Sequence, residues 1–488
     1  MSDIWDVHKF GGTSVGSADA MRKAIEIIIP KLKENRIGMV VSAMGGKPKV
    51  TDLLLNSVHA AADCKLAVSK ALLEQIKTKH KECVDDILAR SPDAANRIMS
   101  QIEKDITDIE DILRAVVLMR NAHEQILELV SGYGEIWSAS LICEVFIQEG
   151  YPFTFLNARE VLLVSEGELG TEVHWEESER KLNDFLSKIN IDPNLVKEDQ
   201  RNHGPHLVIT GYVASTLDGK ATTLKRDGSD FSASIFGKML HSKSITIWTD
   251  VSGVYSADPR VVSEAKIIPE LSYSEAIELA YFGAKVIHPK TMNPAILDKI
   301  PIFIRNTFEP FHPGTRIYLP PAKGQTLREE CVCGFSTIDN VALLNLEGTG
   351  MIGVPGIASR LFGALKACKV SVMFIAQASS EQSICFAIKE VQSELAKASV
   401  EEAFYYELQQ GLVTELRVIH GCSIVAAVGE SMSNRPGISG IFFGALGSAR
   451  VNVLSISQVT SSHVISFFAY LYPLVFAVNI FYTFVIFG

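Results

Sequence analysis

The segment Lys9-Phe10-Gly11-Gly12-Thr13-Ser14 follows an apolar, strand-like run that begins by Val7. Two adjacent glycines let a ligand approach the backbone closely. Successive N–H groups at a strand-to-helix turn form a site for an anion, and Lys9 adds a point charge for phosphate oxygens. The segment is not a Walker A loop, which requires Gly-Lys-Ser/Thr after a fixed spacer. A plain tight turn is the alternative interpretation of Gly11-Gly12.

Around this segment, the first 300 or so residues alternate strand-like apolar runs with helical stretches. This order predicts an α/β fold with a mainly parallel sheet covered by helices on both faces. The predicted strands are 38–42, 152–157, 206–210, 244–249 and 300–305, and the predicted helices are 18–32, 64–90, 96–129 and 132–149. Ligands of such sheets bind at the carboxyl ends of the strands.

Five further segments place small or polar residues near such positions, namely 42–46, 131–135, 222–230, 248–260 and 282–289. Arg226 can hold a carboxylate through two parallel hydrogen bonds, and Asp230 can orient a lysine or an ammonium group. Taken singly, each segment could also be an ordinary loop, a helix first turn or a solvated turn. His288 is more simply a structural histidine.

Composition narrows the class of protein. Of 488 residues, 47% are hydrophobic and 21% are charged, and the net charge is −10 without a long basic run. Because nucleic-acid binding requires a basic face, no nucleic-acid partner is expected. Eight scattered cysteines without a CxxC pair predict reduced thiols and no zinc site. The early start of the apolar pattern leaves no room for a signal or transit peptide.

An internal repeat follows a turn-rich segment, 311–338, which is interpreted as a linker. After a shift of 81 residues, Gly348 falls on Gly429 and Gln377 falls on Gln458 without a gap. The other coinciding stretches are 355–357 with 436–438 and 362–365 with 443–446. Two copies are too few for a solenoid, so the repeat predicts two small duplicated domains.

The match stops after the second glutamine, and residues 465–488 form a tail without charge that contains nine aromatic residues. We therefore expect an incomplete second domain followed by an aberrant hydrophobic tail. A membrane-spanning helix and a buried substitute strand are the alternatives. The expected domains are 1–310 (catalytic), 311–338 (linker), 339–418 and 419–458 (regulatory, the second partial) and 459–488 (tail).

Together, the order and positions of these motifs resemble the aspartate kinases of the amino-acid kinase family, from about Val7 to Gln458. The segment 225–230, with Asp227 where many members carry glycine, looks most like the kinase half of plant-type bifunctional aspartate kinase–homoserine dehydrogenases. The repeats resemble a pair of ACT domains. The resemblance implies a three-layer αβα amino-acid kinase fold, followed by tandem ferredoxin-like α+β ACT domains, the second incomplete.

The resemblance also implies a reaction in which ATP with Mg²⁺ phosphorylates L-aspartate to 4-phospho-L-aspartate, the first step towards threonine, lysine, methionine and isoleucine. It assigns residues to four roles, with no direct metal ligand. These are catalysis (Lys9, Asp230), aspartate binding (Ser42, Thr51, Glu135, Arg226), nucleotide binding (Gly11, Gly12, Thr249, Asp250, Tyr255, Arg260, Lys285) and regulation (Gln377, Gln458).

For regulation and location, the resemblance implies threonine as feedback inhibitor, a homodimer or higher homo-oligomer, and a plastid in a plant-like source or otherwise the cytoplasm. No Gly-x-Gly-x-x-Gly stretch follows the repeats, so a dehydrogenase half is not expected. The alternatives are another carboxylate-directed kinase, such as acetylglutamate or glutamate kinase, a catalytically silent amino-acid sensor, and a catalytically impaired, truncated product.

Overall fold

The structure is a computed structural model. It describes residues 4–168, 170–190, 196–197, 205–225, 227–283, 287–320, 331–377, 380–430, 432, 436–458 and 464–470. The chain forms two compact units. The first unit comprises Met1–Val254 with Val286–Leu319, and the second comprises Tyr255–Lys285 with Pro320–Gly488.

The first unit is organised around a mainly parallel sheet. Its strands are β1 (Trp5–Phe10), β2 (Arg36–Val41), β3 (Phe153–Leu156), β6 (His206–Thr210), β9 (Ser244–Thr249), β11 (Ile302–Asn306) and β12 (Thr315–Tyr318). Their order is β12-β11-β9-β1-β2-β6-β3, with β12 antiparallel to β11 and the other pairs parallel. The five predicted strands are confirmed, and β6 and β9 have the predicted bounds.

Helices surround this sheet, and two short hairpins accompany it. The helices are α1 (Ala18–Ile28), α2 (Val50–Ala62), α3 (Leu66–Ile87), α4 (Pro92–Met119), α5 (Glu124–Ser131), α6 (Tyr133–Gln148), α7 (Trp175–Lys188), α8 (Gly228–Met239) and α10 (Pro289–Leu297). The hairpins pair β4 (Val164–Gly167) with β5 (Gly170–Val173), and β7 (Val213–Ser215) with β8 (Ala221–Thr223). The helix predicted over 96–129 is two helices, because Arg120 adopts a left-handed backbone (φ 51°) that ends α4.

The layering agrees with the prediction. Both α6 and α8 contact β2 and neighbouring strands, and every residue of β6 is buried. A strand buried on both faces requires cover on both sides, as in other parallel sheets. The core between sheet and helices includes Phe10, Met39, Leu54 and Trp137.

The second unit contains β10 (Glu270–Ser272), α9 (Tyr273–Tyr281) and the two repeats. The first repeat consists of β13 (Gly334–Glu347), α11 (Ile357–Ala367), β14 (Phe374–Gln377), β15 (Ser383–Lys389), α12 (Ser393–Ala403) and α13 (Tyr405–Gln409). The second consists of β16 (Glu415–Val428), α14 (Ile438–Ser448), β17 (Val453–Gln458) and β18 (Val464–Tyr470). Their strands form an antiparallel sheet of order β14-β15-β13-β16-β18-β17.

The strand β18 corrects the expectation that the second repeat lacks its next strand. It pairs with β16 on one side and β17 on the other. Ile465, Phe467 and Ala469 are buried. The first two are β-branched or aromatic, and such residues suit a strand in a covered sheet. The proposed tail 459–488 therefore overlaps the domain over 464–470. Residues 471–488 lie outside the described residues. In the part of the chain that is described, no helix is long and apolar enough to cross a membrane.

Other boundaries also differ from those expected. β12 and the first residues of β13 fall inside the segment 311–338 interpreted as a linker. β16 crosses the expected boundary between residues 418 and 419. Residues 255–285, expected in the catalytic domain, group with the second unit, where Phe335 N donates to Ser256 O (2.7 Å). Contacts between residues so far apart along the chain leave no local signal in the sequence.

Candidate active site

Lys9 and Asp230 form an ion pair at the carboxyl edge of the sheet. Lys9 lies near the end of β1, and Asp230 lies in the first turn of α8. Their Nζ and Oδ1 atoms are 2.6 Å apart, and the side chains are only 11% and 15% exposed. A charge pair with so little solvent contact is screened much less than a surface pair. The arrangement keeps a fixed positive charge beside the Gly11-Gly12 turn.

The turns after β1 and β2 touch backbone to backbone. Gly45 N donates to Gly12 O (2.8 Å). A Cβ at Gly45 would lie 2.5 Å from the carbonyl atoms of Gly12, and a Cβ at Gly12 would lie 3.1 Å from Ala43 O. Only glycine fits at Gly45, which was not among the predicted site residues. The run of small residues over 42–46 is the sequence feature that could have indicated this position.

Two predicted substrate residues lie next to this contact. Ser42 directly follows β2, and its N–H donates to Phe10 O (3.1 Å). Thr51 lies in the first turn of α2, where Val50 N donates to Met44 O (3.1 Å). Both side chains are half-buried, so the structure gathers Ser42 and Thr51 around the same pair of turns.

Glu135 is a buried carboxyl group in the first turn of α6. Burial raises its pKa to about 8, against the opposing effects of hydrogen bonds from the Ala43 and Glu135 backbone and the charge of Arg159. Its Oε2 has no hydrogen-bond partner among the described residues. A cation that reached this oxygen would stabilise the ionised carboxylate.

Arg159 is a feature of this region that the sequence did not reveal. It follows β3, and its Nη2 donates to Leu129 O (3.0 Å). Its guanidinium lies 5.9 Å from the centre of the Tyr133 ring. Burial lowers its pKa, and the nearby Tyr133 and Glu135 oppose that effect. A single arginine after a short strand gives no motif, which explains why it was missed.

Arg226, the predicted contact for the substrate α-carboxylate, lies outside the described residues. Its two neighbours, Lys225 and Asp227, both adopt a left-handed backbone, with φ of 60° and 56°. The ammonium of Lys225 pairs with Glu124 and Glu128 of α5. The role of Arg226 itself stays a prediction.

The predicted nucleotide residues of the first unit share the carboxyl edge with Lys9. Gly11 N donates to the carbonyl of Trp248 in β9 (3.3 Å), and Thr307 N donates to Thr249 O (2.9 Å). The hydroxyls of Ser14 and Thr307 are 2.7 Å apart. These bonds tie together the ends of β1, β9 and β11. Thr249 Oγ1 donates to the exposed Asp250 (3.2 Å).

The first unit does not contain the other three predicted nucleotide residues. Tyr255 and Arg260 belong to the second unit. Arg260 is exposed and pairs with Asp258 at 2.6 Å. Lys285 lies outside the described residues. A nucleotide-binding role for these three stays a prediction.

A cavity of about 290 Å³ lies in the first repeat. It is lined by the turn 351–358, by Gln377, by Glu381 and by Ile384. Glu381 Oε2 accepts a hydrogen bond from Gly353 N (2.9 Å). Gln377 therefore lies beside the Pro-Gly turn. Gln458 is the last residue of β17, and its side chain lies outside the description.

Comparison with known proteins identifies the class. Residues 5–306 match the amino acid kinase family, and residues 344–404 and 425–469 match the ACT domain. The chain belongs to the amino acid kinase family. The second ACT match ends at residue 469 and so includes most of β18, in agreement with its place in the sheet.

Particular relatives are similar over nearly the whole chain. A chloroplastic bifunctional aspartokinase/homoserine dehydrogenase 1 from Zea mays is 42% identical over 465 residues, covering 94% of this chain and 48% of the relative. The chain thus spans about half the length of the bifunctional relatives.

Two solved structures of aspartokinase III from E. coli are also similar, each at 26% identity. One, in complex with aspartate and ADP (R-state), has a TM-score of 0.78 and covers 99% of each chain. The other, with lysine and aspartate (T-state), has a TM-score of 0.74 and covers 99% of this chain and 100% of that chain.

Proposed function

We propose that this protein is an aspartate kinase, which transfers the γ-phosphoryl group of ATP to the side-chain carboxylate of L-aspartate. The observation that carries the proposal is Glu135, a buried acid beside the turn after β2 with one oxygen that no described residue contacts by a hydrogen bond. Such a group suits the α-ammonium of a free amino acid. Acetylglutamate lacks that ammonium, so the site favours aspartate over an N-acetylated substrate.

The charge of the site meets the main demand of this reaction. The attacking carboxylate has a pKa of about 4 and is ionised at neutral pH, so no general base is needed. Two anions must approach each other, which requires positive charge and alignment. Lys9, held at 2.6 Å from Asp230, supplies that charge. The amide of Gly12 would bind phosphate oxygens beside it, whereas the amide of Gly11 donates to Trp248 O (3.3 Å) and would contribute through the close approach of its backbone.

The nucleotide side of the site involves Mg²⁺. Mg²⁺ prefers oxygen ligands, and the exposed carboxylate of Asp250 at the end of β9 provides such oxygens. Asp250 would hold a magnesium ion delivered on the phosphates of ATP. The ion would supply further positive charge to the phosphate oxygens.

Substrate selection would depend on the two groups bonded to the Cα atom of aspartate. Glu135 would hold the α-ammonium, Arg226 the α-carboxylate, and Ser42 and Thr51 would add weaker contacts. The reacting carboxylate would then point towards Lys9. Catalysis is assigned to the first unit, and the nucleotide roles of Tyr255, Arg260 and Lys285 stay predictions from the resemblance.

The repeats are proposed to bind threonine as a feedback inhibitor. The cavity beside Gln377 combines an amide, the carboxylate of Glu381 and apolar side chains such as Ile384, which suits a small amino acid. Gln458 would take the equivalent part in the second repeat. We also propose a homo-oligomer and, because curated relatives are chloroplastic by name, a plastid location.

A coupled assay of ADP release with aspartate, glutamate or acetylglutamate tests the reaction. We expect turnover with aspartate and none with glutamate or acetylglutamate. Lys9→Ala should lower kcat by on the order of 10² or more, as removal of one preorganised charge does. A folded Lys9→Ala protein with near-normal turnover would exclude Lys9 from the mechanism. Turnover with glutamate or acetylglutamate instead would identify another carboxylate-directed kinase, and no turnover would favour the impaired product or the silent sensor.

The same assay with threonine or lysine tests the regulation. We expect inhibition by threonine, and Gln377→Ala should weaken it without abolishing catalysis, because inhibition requires different affinities for two states. Inhibition by lysine alone would assign lysine as the effector.

A further inference from the structure

Lys79, on helix α3, makes a long-range contact with the turn after β2, residues 42–49. Its ammonium donates to the carbonyl of Gly45 (2.5 Å) and to the carbonyl of Pro48 (3.0 Å). A Cβ at Gly46, which lies between these two residues, would be 3.2 Å from the same ammonium. The ammonium therefore lies directly against the turn, and its two hydrogen bonds join the middle of the turn to its end.

The partners of Lys79 differ from those of the neighbouring lysines on α3. Lys77 pairs with Glu103 (2.8 Å), and Lys81 pairs with Asp85 (3.0 Å). Lys79, by contrast, pairs with no carboxylate in the described part of the chain, and its hydrogen bonds go to backbone carbonyls. A hydrogen bond from a charged donor is stronger than one between neutral groups. The charge of Lys79 is therefore used to hold the backbone.

Helix α3 gives Lys79 a fixed position. Ile76 and His80, three residues before it and one after it, are fully buried. The His80 ring packs edge-on against Trp137 of α6, with ring centres 5.2 Å apart. A side chain that starts from a buried helix can hold a turn in place, because close-packed interiors do not yield readily.

The turn after β2 contacts both parts of the candidate site. Near its middle, Gly45 N donates to Gly12 O (2.8 Å) in the turn after β1. Nearer its start, the backbone of Ala43 hydrogen-bonds to the carboxyl group of Glu135. The turn begins with Ser42, a proposed substrate contact. A shift of this one turn would therefore disturb the phosphate side and the aspartate side together.

We propose that Lys79 is a positioning residue for phosphoryl transfer, acting through the turn after β2. It holds this turn against Gly12 and Glu135, so that the carboxylate of aspartate and the transferred phosphoryl group meet in line. The inference rests on the proposed function of the site. Alignment is costly to lose, since a misplacement of about 1 Å can lower a rate by about 10².

The first test compares Lys79→Met with Lys81→Met in steady-state assays with varied aspartate and varied ATP. We expect Lys79→Met to lower kcat/KM for aspartate by about tenfold or more. The KM for ATP should stay within about twofold, because Thr249 and Asp250 follow β9, which β1 separates from β2. Lys81→Met is the matched control on the same helix, and it should change neither constant.

The second test measures the turn itself and requires no activity. Hydrogen exchange with mass spectrometry should show residues 42–50 exchanging about tenfold faster in Lys79→Met, with α3 unchanged. Lys79→Arg retains a positive charge and N–H donors for the two carbonyls. It should keep the slow exchange of the turn and a kcat/KM for aspartate within about threefold of wild type.

Four outcomes would overturn the inference alone. These are unchanged exchange of the turn in Lys79→Met, faster exchange with unchanged kcat/KM for aspartate, an equal loss of protection throughout α3, and equal losses of activity in Lys79→Arg and Lys79→Met. Failure of the wild-type protein to phosphorylate aspartate would overturn the proposed function and this inference together, whereas the exchange data would still report the contact of Lys79 with the turn.

Discussion

The first four elements of the two repeats correspond, although their residue identity ends after Gln377 and Gln458. β15 spans Ser383–Lys389 and β18 spans Val464–Tyr470, an offset of 81 residues at both ends. Leu344 pairs with Phe386 in the first repeat, and Val425 pairs with Phe467 at the same offset in the second. The register therefore continues beyond the point where residue identity ends.

This comparison shows which property of the sequence determines where a strand forms. Ile384, Phe386 and Ile388 of the first repeat are buried, and so are their counterparts Ile465, Phe467 and Ala469. Alternate side chains of a strand point to one face of the sheet, and any apolar residue of suitable size fills the face. Identity at each position is therefore not needed for the second repeat to complete its sheet.

Of the changes considered, removal of β18 should have the largest effect on the second repeat. A chain that ends at Gln458 should lose amide protection over residues 422–428 of β16 by on the order of 10³-fold, because a core strand becomes an edge. A chain that ends at Tyr470 should keep that protection. Hydrogen exchange with mass spectrometry measures both. Equal protection in the two chains would show that 464–470 are not part of the sheet.

Matched aspartate substitutions test the two buried aromatics. Phe386→Asp and Phe467→Asp should each destabilise the second unit by about 4 kcal/mol or more, because each buries an unpaired charge. The readout is the denaturant dependence of exchange in β13 and β16. The control is Val391→Asp, at a side chain that is 90% exposed. A neutral Phe467→Asp beside a damaging Phe386→Asp would break the equivalence of the repeats.

Glu135 is a buried acid of the first unit, in contrast to the buried apolar residues of the two repeats. Its folded-state pKa is raised from 4.5 to about 8 by burial, so its contribution to stability is complete below about pH 4.5 and is lost as pH rises to about 8. The stability of Glu135→Gln relative to wild type should increase across that window, by up to about 1.4 kcal/mol per pH unit. Urea unfolding followed by tryptophan emission measures this change. A difference independent of pH would mean that Glu135 ionises normally.

The smallest expected effect concerns the turns before the two repeat helices. Gly356 and Gly437 have left-handed φ values of 91° and 89°, with open space where a Cβ would lie. Replacement of either by alanine should cost about 1 kcal/mol through backbone strain alone. Exchange in α11 and α14 is the measurement. Clearly unequal costs would indicate that the two turns are not equivalent.

Much of the fold could be predicted because its signals are local. Apolar runs bounded by turns gave β6 and β9 their bounds, and the repeat gave the paired domains. The sequence did not reveal β18, because its similarity to β15 lies in which positions are buried rather than in matching residues. The grouping of residues 255–285 with the repeats depends on contacts such as Ser256 O with Phe335 N, which join distant segments.

The candidate site likewise combines residues that the sequence predicted with residues that it did not. Lys9 and Asp230 were predicted from two motifs, and the structure brings them together. Gly45 was missed because its need for glycine arises from another turn. The pairing of Lys225 with Glu128 joins residues 97 positions apart, and each residue alone resembles any surface charge.

The contact between β1 and β9 has a spectroscopic consequence. All four tryptophans of the chain, Trp5, Trp137, Trp175 and Trp248, lie in the first unit. Trp248 is buried and stacks on Phe10, with ring centres 5.8 Å apart. Its indole donates to His8 (3.3 Å). Burial, with the charges of Lys31 and Arg305, lowers the pKa of His8 to about 3, so that imidazole stays uncharged near neutral pH.

The carbonyl of Trp248 accepts the hydrogen bond from Gly11 N (3.3 Å), so this fluorophore is joined directly to the glycine turn. Its emission is a built-in optical probe for a ligand at that turn, without a label. The second unit contributes no tryptophan. Any change in indole emission on adding threonine would therefore originate in the first unit.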